Sequence, residues 1–230
     1  MVIVANGTLP GPPIEVYEGQ NVIVHVKNKL LSESTTIHWH GLHQRGTPWM
    51  DGVAYVNQCP IGPDQSFTYR FKAKPKGTFW YHSHVGVQRT MGLYGAFIIR
   101  PKEPIVMHEF LVVINDWNHD WDSNQVYYRI FHAGLINGKG RYYNENGVHN
   151  DAPLEIFTVF SGNQYKFRWI SAGSLYPFRI SIDNHNITII ASDGYDIEPF
   201  TAESLIINPG ERYDFYITAD QPTNNYWVRA

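Results

Sequence analysis

Apolar and polar residues alternate with a period of two in short runs, and turn-forming residues interrupt them about every eight to twelve positions. In Val22-Ile-Val-His-Val-Lys27 the three valines share one face of a strand, and Ile23, His25 and Lys27 take the other. That places His25 toward solvent. Phe67-Thr-Tyr-Arg-Phe-Lys72 alternates in the same way, and Gly95 to Arg100 reads as a buried strand closed by Pro101. Further strands are predicted over Phe110 to Ile114, Leu154 to Phe160, Tyr165 to Ile170, Phe178 to Ile182, Ile187 to Ile190, Ser204 to Ile207, Tyr213 to Thr218 and Tyr226 to Val228. Pro209 to Arg212 reads as a turn. No segment longer than about ten residues carries a helical period. The pattern predicts an all-β chain built of antiparallel sandwiches.

Pro101-Lys-Glu-Pro104 has two prolines, two charges and no apolar residue, which marks a boundary. It divides the chain into a first domain, residues 1–103, and a second, residues 104–230. Asn137 to Asp151 is rich in Gly and Asn and reads as a long surface loop.

Composition fits globular domains: 43% of the 230 residues are hydrophobic and 15% aromatic. A net charge of −3 gives no electrostatic case for nucleic acid. No run of eighteen apolar residues predicts a membrane span. Met1 leads straight into Val2-Ile-Val-Ala5, so no signal peptide is read. Asn6-Gly-Thr8 and Asn186-Ile-Thr188 are glycosylation sequons, of consequence only in a secretory setting. Cys59 is the one cysteine and has no partner for an internal disulfide. On its own it reads as a small buried hydrophobe.

The candidate chemistry lies in two short histidine pairs about forty residues apart, His38-Trp39-His40 and His82-Ser83-His84. In a strand, residues i and i+2 point the same way. Each pair therefore aims two imidazoles in one direction, and two such strands side by side would gather four. Neutral imidazole is a common metal ligand and suits copper and zinc. Trp39 and Ser83 face away, Trp39 into the core. Gly41 and Gly86 let the backbone turn or approach closely.

The flanking residues carry a resemblance. Ile37-His-Trp-His-Gly-Leu-His-Gln-Arg-Gly-Thr-Pro-Trp-Met-Asp-Gly52 and Asn57-Gln-Cys-Pro-Ile61 are similar to the first copper motif of the multicopper oxidases, laccases in particular. Gly77-Thr-Phe-Trp-Tyr-His-Ser-His84 with Gly92-Leu-Tyr-Gly-Ala-Phe-Ile-Ile99 resembles the second. Asn6-Gly-Thr-Leu-Pro-Gly-Pro12 and Glu18-Gly-Gln-Asn-Val22 fit the family's amino-terminal pattern, and Leu135-Ile-Asn-Gly-Lys-Gly140 and Asp183 to Asp193 resemble its second domain.

The resemblance implies two cupredoxin-like Greek-key β-sandwich domains, the second incomplete at its C-terminus, in the amino-terminal part of a secreted laccase-like protein. It assigns His38 to a type 2 copper, and His40, His82 and His84 to a type 3 copper pair. That is half of the ligands of the family's three-copper cluster. The third-domain motifs H-x-x-H-x-H and H-C-H do not occur here, and no histidine adjoins Cys59, so no type 1 copper is expected. In many laccases the cysteine of the Q-C-P-I motif bonds to one outside the first domain. Cys59 is then either a free thiol or paired with another chain. Asp51 reads as a plain Asp-Gly turn, or, by the resemblance, as a carboxylate near the type 2 copper that relays protons. His43 has the wrong parity for the ligand face. His108, His119, His132, His149 and His185 fall outside any H-x-H spacing and read as loop or strand histidines.

The implied activity couples one-electron oxidation of phenols or aromatic amines to reduction of O2 to water. A third domain or another chain would complete the cluster, and these residues alone would be inactive. A ferroxidase or ascorbate oxidase falls in the same class. A copper-binding or interaction module without turnover is the competing class.

Overall fold

The computed structural model of the chain describes residues 2–103, 106–119, 131–143 and 146–230. Pro104, in the predicted boundary, and residues 144–145, in the predicted loop, lie outside them. The chain divides into two compact units, Met1–Ile105 and Val106–Ala230. Both are built of strands, with only a single short 3-10 turn at Pro48–Met50 among the described residues.

The first unit holds β1 (Gly11–Tyr17), β2 (Asn21–Lys27), β3 (Ile37–His40), β4 (Ser66–Lys72), β5 (Gly77–Ser83) and β6 (Tyr94–Arg100). One sheet has the order β1-β6-β5-β3, and β2 pairs with β4 in a second. The β2–β4 register sets Val22 opposite Phe71 and Val24 opposite Tyr69, facing inward. His25 faces outward opposite Thr68, with Nδ1 2.8 Å from the Thr68 hydroxyl. Between the sheets Trp39 is fully buried, its ring 5.3, 5.1 and 5.6 Å from Tyr69, Phe71 and Phe97. Burying a large apolar side chain contributes about 1.5–3 kcal/mol. This aromatic core is the floor on which β3 and β5 lie.

The second unit holds β7 (Glu109–Trp117), β8 (Ala133–Ile136), β9 (Gln164–Ser171), β10 (Phe178–Ile182), β11 (Ile187–Ser192), β12 (Tyr195–Ala202), β13 (Leu205–Ile207), β14 (Arg212–Thr218) and β15 (Val228–Arg229). A six-stranded sheet, β12-β11-β14-β9-β7-β8, packs with a three-stranded sheet, β13-β10-β15, around Ile114, Trp169, Ile180, Ile187 and Phe215. Arg168 is buried but paired, with Glu109 at 2.8 Å and Asp214 at 2.9 Å, as a buried charge requires.

Several features depart from the predicted strands, β1 and β8 among them, which the pattern does not predict. Leu154 to Phe160 forms no ladder, although its pattern is strand-like. Both edges of the neighbouring β9 are already taken, by β7 and β14. Only Phe157 packs on the core, and Ile156 and Phe160 remain exposed. β12 was not predicted, because it is an exposed edge strand containing Pro199, and an edge tolerates a residue without N–H. The last strand begins two residues later than Tyr226. Among the described residues no helix is long and apolar enough to cross a membrane.

Candidate metal centre

β3 and β5 are antiparallel neighbours with His38 opposite His82, Trp39 opposite Tyr81 and His40 opposite Trp80. The ladder thus joins the two H-x-H segments edge to edge with their imidazoles on one face. His38, His40 and His82 each offer a ligand atom, all within 4.8 Å of one another. His84 follows just past the end of β5 and stands exposed at the rim, its ring 5.5 Å from His38 and 6.0 Å from His82. Of the four ligands implied by resemblance, the fold draws three into a tight group and leaves the fourth beside it.

Hydrogen bonds fix which nitrogen His38 and His82 present. His38 Nδ1 lies 2.8 Å from the Asp51 main-chain oxygen. His82 Nδ1 lies 2.8 Å from the Ser83 main-chain oxygen. Carbonyls only accept, so both rings carry their proton on Nδ1 and offer the Nε2 lone pair. His40 Nδ1 lies 3.2 Å from His82 Nε2. Carbonyl partners of this kind orient metal-binding imidazoles and raise their basicity.

Electrostatics favours the neutral, ligating form. Burial pushes the His82 pKa well below 6.5; the Ser83 carbonyl pulls it up by less, and the neighbouring His38 and His40 each push it down by less again. His84, though exposed at the rim, is lowered too, first by partial desolvation and then by His38.

Asp51 is delivered by the short turn at Pro48–Met50. Its main-chain oxygen makes the shorter contact with His38, and its carboxylate Oδ1 is 3.4 Å from the same Nδ1. The next residue must be glycine. Gly52 has φ +83°, and a Cβ there would overlap the Ile37 carbonyl.

Sequence reasoning missed Trp80. It shares the parity of His82 and His84, which is the signal that could have found it. It is fully buried beneath the imidazoles, 4.8 Å from His40 at 28° and 4.3 Å from His82. The other histidines stay apart from the group. His43 and His108 are exposed, His119 and His132 lie against Tyr142, His149 pairs with Asp151, and His185 meets Tyr226. Cys59 is exposed, not a buried hydrophobe.

An all-imidazole, partly buried donor set on a sheet fits copper.

Comparisons with known proteins agree with that chemistry. A family model described as multicopper oxidase matches residues 1–104, and a second with the same description matches residues 108–230. Laccase-4 of Trametes villosa is 40% identical over 99% of this chain and 46% of its own length. The L-ascorbate oxidase of Cucumis sativus is 37% identical over 99% of this chain and 44% of its own. The crystal structure of the laccase from Botrytis aclada superposes with a TM-score of 0.88 at 36% identity, over 97% of this chain and 44% of that one. The chain spans about half the length of the curated relatives it matches.

Proposed function

This chain belongs to the multicopper oxidases, and from that membership we propose that it supplies one side of a laccase-like oxygen-reducing copper centre. The observation that carries the reading is the convergence of His38, His40 and His82 within 4.8 Å. In this reading His38 serves a type 2 copper, and His40, His82 and His84 serve a type 3 pair. Copper bound there supplies the one-electron redox chemistry by which electrons from phenols or aromatic amines reach oxygen.

The protein's own residues do the rest. The Asp51 and Ser83 carbonyls hold His38 and His82 in one tautomer and one orientation. Trp80 keeps water from beneath the rings. The Asp51 carboxylate is a quarter exposed beside His38, and we assign it the delivery of protons from solvent. The remaining cluster ligands and the electron-entry site lie outside these 230 residues, in further chain or a partner. Residues 1–103 and 104–230 act as two cupredoxin-like domains, and the setting is extracellular, with Asn6 and Asn186 as candidate glycan acceptors.

A copper-binding module without turnover is the alternative, because three imidazoles suffice to hold one ion. Copper content, the optical spectrum and oxygen consumption with a phenol, ascorbate and Fe(II) separate the two. Bound copper without an intense blue band, idle alone and active once complemented by the carboxy-terminal half of a relative, supports the oxidase reading. Copper that stays idle under complementation supports the module. A blue band with turnover by these residues alone refutes the claim that the electron-entry site lies elsewhere.

A further inference from the structure

On the sheet face opposite the imidazoles, one buried amide joins the two histidine-bearing strands. Gln88 is 2% exposed and lies in the turn-rich segment between β5 and β6. Its Oε1 accepts from the Ser83 hydroxyl at 2.6 Å and from the Thr35 hydroxyl at 2.8 Å. Its Nε2 donates to the Ser34 carbonyl at 2.8 Å and to the Glu33 carboxylate at 3.0 Å. Every donor and acceptor site of the amide is used.

The location gives this node its meaning. Ser83 separates His82 from His84, and Thr35 stands two residues before β3. The β3–β5 ladder ends at Ile37 opposite Ser83, so Gln88 closes the strands together where their own pairing stops. Ser83 passes the constraint on in two ways. Its carbonyl holds His82 Nδ1, and its hydroxyl accepts from the Val85 N–H, shaping the turn that carries His84. The segment is pinned at its far side as well, by Leu93 N–H to the Gln88 carbonyl and Ser83 N–H to the Leu93 carbonyl.

A buried amide costs desolvation that an apolar side chain of the same size would not incur. A fully satisfied network instead fixes geometry. We propose that Gln88 is a positioning residue for the copper site, fixing the His82 and His84 imidazoles from behind through Ser83 and registering them against β3 through Thr35. The inference rests on the copper reading given above.

The test uses copper itself. Gln88→Met keeps the volume and removes the hydrogen bonds, and Ser83→Ala removes the receiving hydroxyl. Ile99→Val, a small cavity in the same unit, is the control. Loss of partners of this kind typically costs 10–100-fold in metal affinity. Gln88→Met is expected to weaken copper binding by that factor in a chelator competition and to alter the nitrogen couplings in the electron-paramagnetic spectrum. Ser83→Ala should do the same, and the double variant should lose little more, since both cut one network. Ile99→Val should lower Tm without moving either readout. If Gln88→Met does not fold, Ser83→Ala alone decides by the same readouts. Copper bound to Gln88→Met or Ser83→Ala with wild-type affinity and spectrum overturns the inference alone. A wild-type chain that binds no copper through imidazole overturns the copper reading and the inference together.

Discussion

His40 Nδ1 and His82 Nε2 face each other at 3.2 Å. The Ser83 carbonyl holds the His82 proton on Nδ1, so His82 Nε2 accepts and His40 Nδ1 donates. A metal that takes the His40 Nδ1 lone pair must displace that proton. Nitrogen-15 NMR of the metal-free chain is therefore expected to show His40 as the Nδ1–H tautomer. Loading with Cu(I) should convert it to Nε2–H, with His38 and His82 keeping their Nδ1 protons.

Burial of His82 sets a pH dependence whose sign follows from its lowered pKa. Below the ordinary value of 6.5, the unfolded chain takes up a proton that the folded site refuses. The stability of the metal-free chain is thus full above about pH 6.5 and declines as pH falls from there toward the folded pKa. His84 adds in the same direction. Tm measured from pH 8 to about pH 5 should fall on the acid side, and His82→Gln should flatten that slope.

The Asp51-Gly52 corner tests the main-chain contact to His38. Gly52→Ala meets both a positive φ and the Ile37 carbonyl, and is expected to destabilise by at least about 2 kcal/mol in urea unfolding. Copper affinity should fall with it, because the Asp51 carbonyl moves. Asp51→Asn leaves that carbonyl in place and should keep copper affinity within a few-fold. In a complemented, oxygen-reducing assembly the same variant should lower turnover by about 10²–10⁴-fold, the range typical of a lost general acid or base.

Trp39 is the fully buried residue between His38 and His40. Trp39→Ala should cost about 3–5 kcal/mol of stability in the first unit, measured by chemical denaturation.

Period-two alternation and i/i+2 parity made much of this molecule legible in its sequence. They predict the inward valines of β2, the outward His25, the shared face of each histidine pair and the burial of Trp39. They fall short where the answer depends on a neighbour in space. Leu154 to Phe160 has strand chemistry but pairs with no strand, and both edges of β9, the next strand in the chain, are taken. The carbonyls of Asp51 and Ser83 orient two imidazoles through main-chain atoms, which side-chain identity does not reveal. His84 has the right parity but sits beyond the end of its strand, and so at the rim. Gln88 joins residues 53 and 5 positions away, a convergence that no short motif encodes.

The central claim is that the imidazoles of His38, His40, His82 and His84 hold copper. Its most direct test is copper titration with electron-paramagnetic detection on the wild-type chain and on a variant with all four replaced by alanine, folding being checked by circular dichroism. The expected result is copper with multiple nitrogen couplings in the wild type and none held tightly by the variant. Equal copper affinity and an identical spectrum in the folded variant would contradict the claim.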